Sequence, residues 1–286
     1  MDTSMNKQTM SEEDIKLKFI TPALENAGWD KMRQIKMEYA FTDGRVIVRG
    51  KLVARGSKKR ADYLLSYKPN LPLAIVEAKD NKHSVGDGMQ QAIAYAETLD
   101  VPFVYSSNGD GFLEHDMKNG TEREIPLDEF PSPEDLWQRY TNEEQFTPEQ
   151  EALITEPYYF QPGDKTPRYY QRIAINRTIE AIARGQDRIL LVMATGTGKT
   201  YTAFQIIHRL WKSGRKKKIL YLADRNILID QTMSQDFKPF AKVMTKVEAK
   251  HLDSSYEIYM ALYHQLAGDD NEEPFRQFAP EFFDLI

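Results

Sequence analysis

Apolar runs interrupted by charged residues, proline and glycine dominate the first part of the chain and predict a sheet. The runs DYLLSY at 62–67 and LAIVEA at 73–78 are short and bounded by polar or proline residues, as in central strands. Residues 33–41 and 101–106 predict two more strands, and 87–99 shows the spacing of an amphipathic helix. The pattern therefore predicts an α/β fold.

A helix is predicted near the N-terminus, because a capping hydroxyl precedes three acids and an apolar series. The cap is Ser11, and the apolar residues are Ile15, Leu17, Phe19 and Ile20. Pro22 predicts a kink or restart, and Gly28 predicts the end of the helix.

Helix and strand patterns alternate after residue 167, which predicts a parallel sheet with crossover helices. The predicted elements are a helix at 170–184, a buried strand at 188–194, a helix at 200–212 and a strand at 218–223. Between 119 and 167, seven prolines interrupt every periodic segment, as in a linker or a segment that wraps around a domain. We therefore predict three parts: a domain at 1–125, an acidic, proline-rich linker at 126–165 and a second domain at 166–286.

Composition narrows the chemistry. The 286 residues contain no cysteine, which excludes disulfides, thiolate zinc sites and thiol nucleophiles and leaves an oxygen-ligated metal as the expected inorganic cofactor. The chain has no apolar stretch of the signal-peptide type and no run of about 20 apolar residues. We therefore expect a cytoplasmic protein that does not cross a membrane.

The net charge of −5 does not by itself indicate a nucleic-acid partner, but the charge is segregated. Residues 45–60 contain seven basic residues and no acid, and this stretch, with glycine at its turns, predicts a hairpin. Residues 212–218 contain five basic residues, whereas 108–156 contains fourteen acids and three bases. A solvated surface and a local DNA-facing surface both explain such runs.

Asp62, Glu77 and Lys79 form an Asp…Glu-x-Lys pattern on two neighbouring predicted strands. Because adjacent strands lie about 4.8 Å apart, carboxylates from both can converge on one hard cation such as Mg²⁺. Alternation along a strand places Glu77 and Lys79 on one face, where the lysine can orient or deprotonate a metal-bound water. The alternative is an ion pair at an exposed strand end, and the apolar residues before Glu77 favour a site instead.

Gln91 and Tyr95 lie four residues apart on the helix that follows, so they share a face. From that face they could hold a nucleic-acid backbone or the catalytic lysine.

A phosphate-binding loop is predicted at MATGTGKT, positions 193–200, between a strand and a helix. Its backbone can close around phosphates because its central residues are Gly196, Thr197 and Gly198. Lys199 reaches the outer phosphates and Thr200 can ligate Mg²⁺, although Met193 stands where the general pattern has glycine. A glycine-rich turn that binds no nucleotide is the alternative.

The residues Asp62, Glu77-Ala-Lys79 and Gln91-x-x-x-Tyr95 resemble the nuclease domain of type I restriction enzyme R subunits, within the RecB-like branch of the PD-(D/E)xK superfamily. The resemblance covers about residues 11–110. It implies that the two acids bind Mg²⁺, that the lysine assists hydrolysis, and that the glutamine and tyrosine support DNA handling or motor coupling. Glu13 resembles a further acid of such nucleases, whereas Ala61 stands where the superfamily has proline.

The loop with two internal glycines is similar to that of superfamily 2 helicases and translocases. Arg168-Tyr-Tyr-Gln171 resembles their Q motif, which implies that Gln171 recognises the adenine of ATP with help from Arg168 or a tyrosine ring. LADRN at 222–226, with Gln231, resembles motif Ia, which contacts the DNA backbone. A helix start and an ordinary strand end are the alternatives for these two segments.

Such motors also need an acidic pair on a later strand and arginines from a second RecA-like lobe. The apolar segment 281–286 resembles the strand that carries the Asp-Glu motif in that family. We therefore expect a RecA-like (P-loop) lobe that is cut just ahead of this motif. Weak ATP binding, without hydrolysis or translocation, is the expected consequence.

These patterns predict an α/β protein with a PD-(D/E)xK restriction-endonuclease-like domain followed by a partial RecA-like lobe. The expected function is Mg²⁺-dependent cleavage of double-stranded DNA, coupled in the full-length subunit to ATP-dependent translocation. The resemblance implies specificity and methyltransferase subunits as partners. Two alternatives stay open: a catalytically silent nuclease-like domain that binds DNA or docks onto partners, and a repair helicase or other P-loop ATPase with an unrelated N-terminal domain.

Overall fold

The computed structural model describes residues 6–42, 46–49, 52–55, 58–163, 166–247, 253–263, 266 and 278–286. The chain divides into two compact units: one comprises Met1–Glu151 and Thr166–Ile173, and the other Ala152–Lys165 and Ala174–Ile286. Among the described residues, no helix is both long and apolar enough to pass through a lipid bilayer.

The first unit opens with a helical segment in three parts. Helix α1 (Glu12–Ile15) begins with a capping box between Ser11 and Asp14, and Ser11 is the cap that the sequence predicts. It runs through a π-helical turn (Lys16–Ile20) into α2 (Thr21–Asn26). The irregularity falls just before Pro22, because proline cannot donate to the preceding turn and its ring crowds the carbonyl there.

A six-stranded sheet forms the centre of the first unit, in the order β1-β4-β5-β6-β7-β8. Strands β5 and β6 are parallel and are connected by α3, and the other neighbours are antiparallel. A separate antiparallel pair, β2 and β3, lies in the basic stretch where a hairpin is predicted. The elements are β1 (Ile35–Thr42), β2 (Val46–Arg49), β3 (Leu52–Arg55), β4 (Lys58–Lys68), β5 (Leu71–Ala78), α3 (Met89–Leu99), β6 (Phe103–Ser107), β7 (Gly111–Asp116) and β8 (Glu122–Pro126).

One part of the core of this unit lies between the sheet and one face of α3. Every residue of β5 is buried, which matches its nearly continuous apolar run. The face of α3 that packs on the sheet consists of Met89, Ala92, Ala96 and Leu99. Small alanine side chains let this helix lie close to the strands, so its opposite edge passes near the end of β5.

The segment 126–165 differs from the linker that its prolines predict. A 3₁₀ turn (Leu127–Glu129) leads into α4 (Pro133–Glu144) and α5 (Pro148–Ile154). Pro133 and Pro148 stand at the first positions of these helices, where the missing N–H costs nothing and the fixed φ favours the helix. Helix α4 is capped by Ser132 and buries Trp137, so these prolines begin helices rather than interrupt them.

The second unit contains a three-stranded parallel sheet in the order β10-β11-β9, which confirms the parallel arrangement predicted for this half. Apolar side chains of α7 and of the segment after α8 pack against this sheet. The remaining elements are α6 (Tyr169–Ala183), whose residues up to Ile173 belong to the first unit, α7 (Lys199–Lys212), β9 (Ile219–Ala223), α8 (Asn226–Ser234), a 3₁₀ turn (Lys238–Phe240), β10 (Met244–Lys246) and β11 (Ile258–Leu262).

Residues 188–194, predicted as a buried strand, form no strand. Leu190 and Val192 are 85% and 89% exposed, and no described strand is paired with this segment. An extended segment without a neighbour gains no ladder hydrogen bonds, so apolar composition alone does not produce a strand. The edge of β9 away from β11 is instead bridged in parallel to Leu285, through Ile219.

Helix α7 is anchored within its unit by a buried arginine. Arg209 is 2% exposed and donates to the carbonyl oxygens of Ile154 and Glu156 at 2.6 and 2.9 Å. A third bond runs from the same guanidinium to Asn176 Oδ1 at 3.2 Å. The three bonds hold the chain that follows α5 against the helix that begins at the phosphate loop.

Candidate active site

Asp62 and Glu77 face each other across the β4/β5 pair. The antiparallel register joins Tyr63 to Val76, so the next position along it brings these two acids opposite one another. Each acid accepts a hydrogen bond from the backbone of the other strand: Asp62 Oδ2 from the Ala78 N–H at 2.8 Å, and Glu77 Oε1 from the Asp62 N–H at 3.2 Å. Both carboxyl groups are therefore held at one point of the sheet.

Glu77 is only 1% exposed, and its environment disfavours its charge. Burial raises the pKa of Glu77 to about 8, and repulsion from the Asp62 carboxylate adds to the rise. The hydrogen bond from the Asp62 N–H and the positive charge of Lys79 act in the opposite direction. A buried acid beside a second acid is an arrangement that a bound cation would stabilise.

Lys79 comes directly after the last residue of β5 and is half-buried. Its backbone N–H donates to the Ser107 carbonyl at 2.9 Å, which extends the β5/β6 pairing by one residue. The lysine therefore lies at the same end of β5 as Glu77, and its charge acts on that carboxyl group.

Gln91 and Tyr95 lie on the α3 edge that passes the end of β5. Gln91 Nε2 donates to Glu77 Oε2 at 2.9 Å and approaches the Tyr95 hydroxyl at 3.1 Å. The sequence leaves Lys79 open as a partner of Gln91. In the structure, Gln91 contacts the buried Glu77 instead. Gly88 permits this approach, since a Cβ there would come within 2.8 Å of Ser106 Oγ and 3.2 Å of Glu77 Cβ.

A buried lysine that the sequence analysis did not identify adjoins Asp62 on its other side. Lys16 Nζ lies 3.1 Å from Asp62 Oδ1, 2.7 Å from Glu13 Oε1 and 2.8 Å from Glu38 Oε1. Burial by itself lowers the pKa of Lys16, but the bonds to Glu13 and Glu38 and the charge of Asp62 raise it above its ordinary value. Glu13 and Asp62 are therefore linked through Lys16, because both carboxyl groups contact its ammonium group.

One signal for Lys16 was present in the sequence, since acids stand three and four residues before it on the same helix. The amphipathic pattern predicts that Leu17 is buried, but the structure buries Lys16 instead. Leu17 is 65% exposed and Lys16 is 2% exposed. The π-helical turn explains the exchange, because it rotates the side chains that follow relative to an α-helix.

The donor set suits a magnesium ion more than a tightly caged metal. Among the described residues, no group of three or more His, Cys, Asp or Glu side chains is placed to hold a metal ion. Mg²⁺ commonly takes one or two protein carboxylates and keeps several waters. Asp62 and Glu77 supply two carboxylates of this kind, so the residues present fit such an ion.

The predicted phosphate loop lies in the second unit and ends at the first residue of α7. Gly196 and Gly198 have φ angles of +77° and +84°, a region that glycine adopts without strain. Lys199 Nζ lies 3.3 Å from the Ala194 carbonyl, and Thr197 Oγ1 donates to the same oxygen at 2.6 Å. Thr200 is half-buried in the first turn of α7, where free backbone N–H groups favour an anion.

Arg168 and Gln171 stand at the start of α6 and belong to the first unit. Gln171 is buried, and its Oε1 accepts a hydrogen bond from the Arg168 N–H at 2.9 Å. The Arg168 guanidinium approaches the Tyr170 hydroxyl at 3.2 Å. Their assigned contact with adenine stays a prediction, as does the role of Gln231 on α8 in binding DNA.

Two family models match the chain, and together they cover most of it. The model described as "Type I restriction enzyme R protein N terminus (HSDR_N)" matches residues 31–131. The model described as "Type III restriction enzyme, res subunit" matches residues 164–286. The first match contains Asp62, Glu77 and Lys79, and the second contains the phosphate loop.

Individual relatives point to the same family. The chain is 54% identical over 287 aligned residues to the Escherichia coli type I restriction enzyme EcoAI endonuclease subunit, covering 99% of the chain and 35% of that protein. It is 29% identical to the EcoKI endonuclease subunit of E. coli strain K12, over 62% of the chain and 19% of the relative. A solved fragment described as a type I HsdR subunit from Vibrio vulnificus YJ016 superposes with a TM-score of 0.79 at 39% identity, covering 96% of the chain and 50% of that structure.

The chain thus spans half or less of the length of each relative that it matches. Its mixed α/β fold, the two family models and these identities agree with one another. The chain is therefore homologous to the endonuclease (HsdR) subunits of type I restriction enzymes.

Proposed function

We propose that the first unit is a Mg²⁺-dependent DNA endonuclease of the PD-(D/E)xK type. The observation that carries the proposal is the convergence of Asp62 and Glu77 from neighbouring strands, with Lys79 two residues beyond the glutamate. The homology to type I restriction endonuclease subunits supports the reaction class. A phosphodiester bond of double-stranded DNA is the proposed substrate.

Asp62 and Glu77 would hold the ion, which supplies charge stabilisation at the scissile phosphate when bound. Glu77 must give up its proton to act as a ligand, because its pKa lies at about 8 without a cation. Gln91 keeps Glu77 Oε2 in place, and Tyr95 supports the glutamine amide in turn. Lys79 Nζ would orient the attacking water or accept its proton.

The second unit would bind ATP. Lys199 would contact the outer phosphates, Thr200 would contribute a hydroxyl ligand to Mg²⁺, and the left-handed glycines let the loop approach the phosphates. Recognition of adenine by Arg168 and Gln171, which belong to the first unit, stays a proposal that rests on the sequence resemblance alone. The family model that matches residues 164–286 supports a nucleotide-driven motor here.

In the intact subunit, cleavage would be coupled to ATP-dependent translocation along DNA. Specificity and methyltransferase subunits are the proposed partners, because the relatives are subunits of type I restriction enzymes. Recognition of the DNA sequence would then reside in those partners.

Cleavage of supercoiled plasmid by the assembled complex, with Mg²⁺ and ATP, tests the nuclease assignment. We expect Asp62→Ala and Lys79→Ala to reduce cleavage at least 100-fold while ATP hydrolysis stays at the wild-type rate, because one removes a carboxylate and the other the lysine of the site. Lys82→Ala is the matched control, since Lys82 is exposed three residues from Lys79. Wild-type cleavage by both site variants would instead favour a catalytically silent DNA-binding domain.

A further inference from the structure

Lys16 places a fixed positive charge inside the carboxylate site. Its ammonium nitrogen lies within 3.1 Å of one oxygen each from Glu13, Glu38 and Asp62, and 3.6 Å from Glu12 Oε1. The side chain is 2% exposed, so this charge is not a surface lysine that happens to pass an acid. Burying an ammonium group is costly unless it is paired, and here several carboxylates compensate for it.

The backbone is shaped to bring these groups together. The π-helical turn begins at Lys16 and turns this side chain toward the sheet. Glu38 stands opposite Asp62 in the β1/β4 register, between the pairs Met37–Tyr63 and Tyr39–Ala61, and its φ is +53°. A left-handed φ is strained for glutamate, and such strain persists only where the surroundings hold it.

Asp62 therefore stands between two different halves of one acidic site. Its Oδ1 contacts the Lys16 ammonium, and its Oδ2 accepts from the Ala78 N–H beside Glu77. Among the described residues, the hydrogen bonds that Glu77 accepts come from neutral groups, the Asp62 N–H and the Gln91 amide. One half of the site thus already contains a buried ammonium group in contact with its carboxylates, whereas Glu77 in the other half accepts hydrogen bonds from neutral groups.

We propose that the Lys16 ammonium occupies a second cation position beside Asp62, so that the site takes one divalent ion, at Asp62 and Glu77, and not two. A second divalent ion at Glu13, Glu38 and Asp62 would have to displace a buried, ion-paired lysine and would be repelled by its charge. Lys16 is a positioning residue in this account, because it acts through Asp62. The inference rests on the proposed nuclease function, since it concerns the metal count of that site.

Calorimetric titration of the 286-residue chain with Ca²⁺, without DNA, tests the metal count. We expect one ion per chain for the wild type, which is lost in Glu77→Gln. Lys16→Met keeps an unbranched side chain, one atom shorter, and removes the charge, so it should bind two ions. Lys16→Arg should still bind one. Lys18→Met is the matched control, because Lys18 lies on the same helical segment but pairs with Asp14, at 2.8 Å, so its count should stay at one.

Two ions bound by the wild type, or one ion with unchanged affinity in Lys16→Met, would overturn the inference while leaving the nuclease proposal intact. If the wild type binds none and Lys16→Met gains one, the role of Lys16 stands and the Mg²⁺ assignment to Asp62 and Glu77 fails. If Lys16→Met is unfolded in EDTA, millimolar Ca²⁺ should restore its circular dichroism spectrum, because the ion replaces the lost charge. Failure of Ca²⁺ to restore it would also overturn the inference.

Discussion

Glu77 is the residue whose chemistry depends most on its surroundings. Burial and the neighbouring Asp62 raise its pKa to about 8, so without a cation this carboxyl group is mostly protonated at neutral pH. A cation at the site must therefore displace a proton, and cation affinity should increase as the pH rises toward 8. Because Glu77 is the ligand that loses this proton, we expect nuclease activity to increase over the same pH range.

The pH dependence of stability tests this directly. The folded-state pKa of Glu77 lies above its ordinary value of 4.5, so its protonated form contributes stability that is complete below about pH 4.5 and is lost as the pH rises through about 8. In EDTA, the Tm of the wild type minus that of Glu77→Gln should therefore fall between about pH 5 and pH 8 and level off above pH 8. Thermal melting followed by circular dichroism measures this difference.

Glu97→Gln is the control for that series, since Glu97 is exposed on α3. Its Tm difference from the wild type should stay constant over the same range. A constant difference for Glu77→Gln as well would contradict the raised pKa.

Single residues also show what the sequence could and could not predict. Asp62 and Glu77 were identifiable because each belongs to a short apolar run, and adjacent strands bring such acids together. Lys16 and Glu38 were not, because their contacts depend on a π-helical turn and on a left-handed backbone conformation within β1. Neither irregularity has a reliable periodicity signal in one sequence.

At the scale of elements, the close approach of α3 to β5 and β6 sets the geometry of the site. Gly88 has a φ of −83°, so alanine is conformationally allowed there, but its methyl group would meet Ser106 Oγ at 2.8 Å and Glu77 Cβ at 3.2 Å. We expect Gly88→Ala to shift α3 and reduce plasmid cleavage by the assembled complex about tenfold or more, with ATP hydrolysis unchanged.

Ser106→Ala in the same chain should restore part of the cleavage lost in Gly88→Ala, because it removes the nearer of the two contacts. Equal cleavage by the wild type and Gly88→Ala would show that this helix can shift without disturbing Glu77 and Gln91.

Arg209 connects two elements of the second unit. Lysine at this position can replace one of its three hydrogen bonds to Ile154, Glu156 and Asn176, but not all of them. Hydrogen bonds from a charged group contribute about 1.5–3 kcal/mol each, so amides of residues 152–160 should exchange at least about tenfold faster in Arg209→Lys.

Hydrogen exchange with mass spectrometry measures the exchange rates of these amides. Arg215→Lys, at an exposed position, is the control. Unchanged exchange in Arg209→Lys would contradict the anchoring role.

Predictions for whole elements succeeded where the pattern was local. The central strands, α3 and α7 are close to their predicted positions, because each has a clear period or flanking glycine. The helices α4 and α5 were hidden by prolines that begin them, and 188–194 was predicted as a strand although strand formation depends on a neighbour. Pairing partners are a tertiary property, and an apolar run does not identify them.

At the scale of the whole molecule, the chain carries two sites in two structural units. The carboxylate site belongs to the first unit, and the phosphate loop belongs to the second. We propose that the first unit cleaves DNA and the second uses ATP, with cleavage depending on the motor in the intact subunit. The two activities should therefore respond differently to substitutions in the two units.

The most direct measurement follows DNA cleavage and ATP hydrolysis together in the assembled complex, with Glu77→Gln and Lys199→Ala compared with the wild type. We expect Glu77→Gln to hydrolyse ATP at the wild-type rate without cleaving DNA, and Lys199→Ala to do neither. Cleavage by Glu77→Gln at the wild-type rate would contradict the central claim that the Asp62 and Glu77 site cuts DNA.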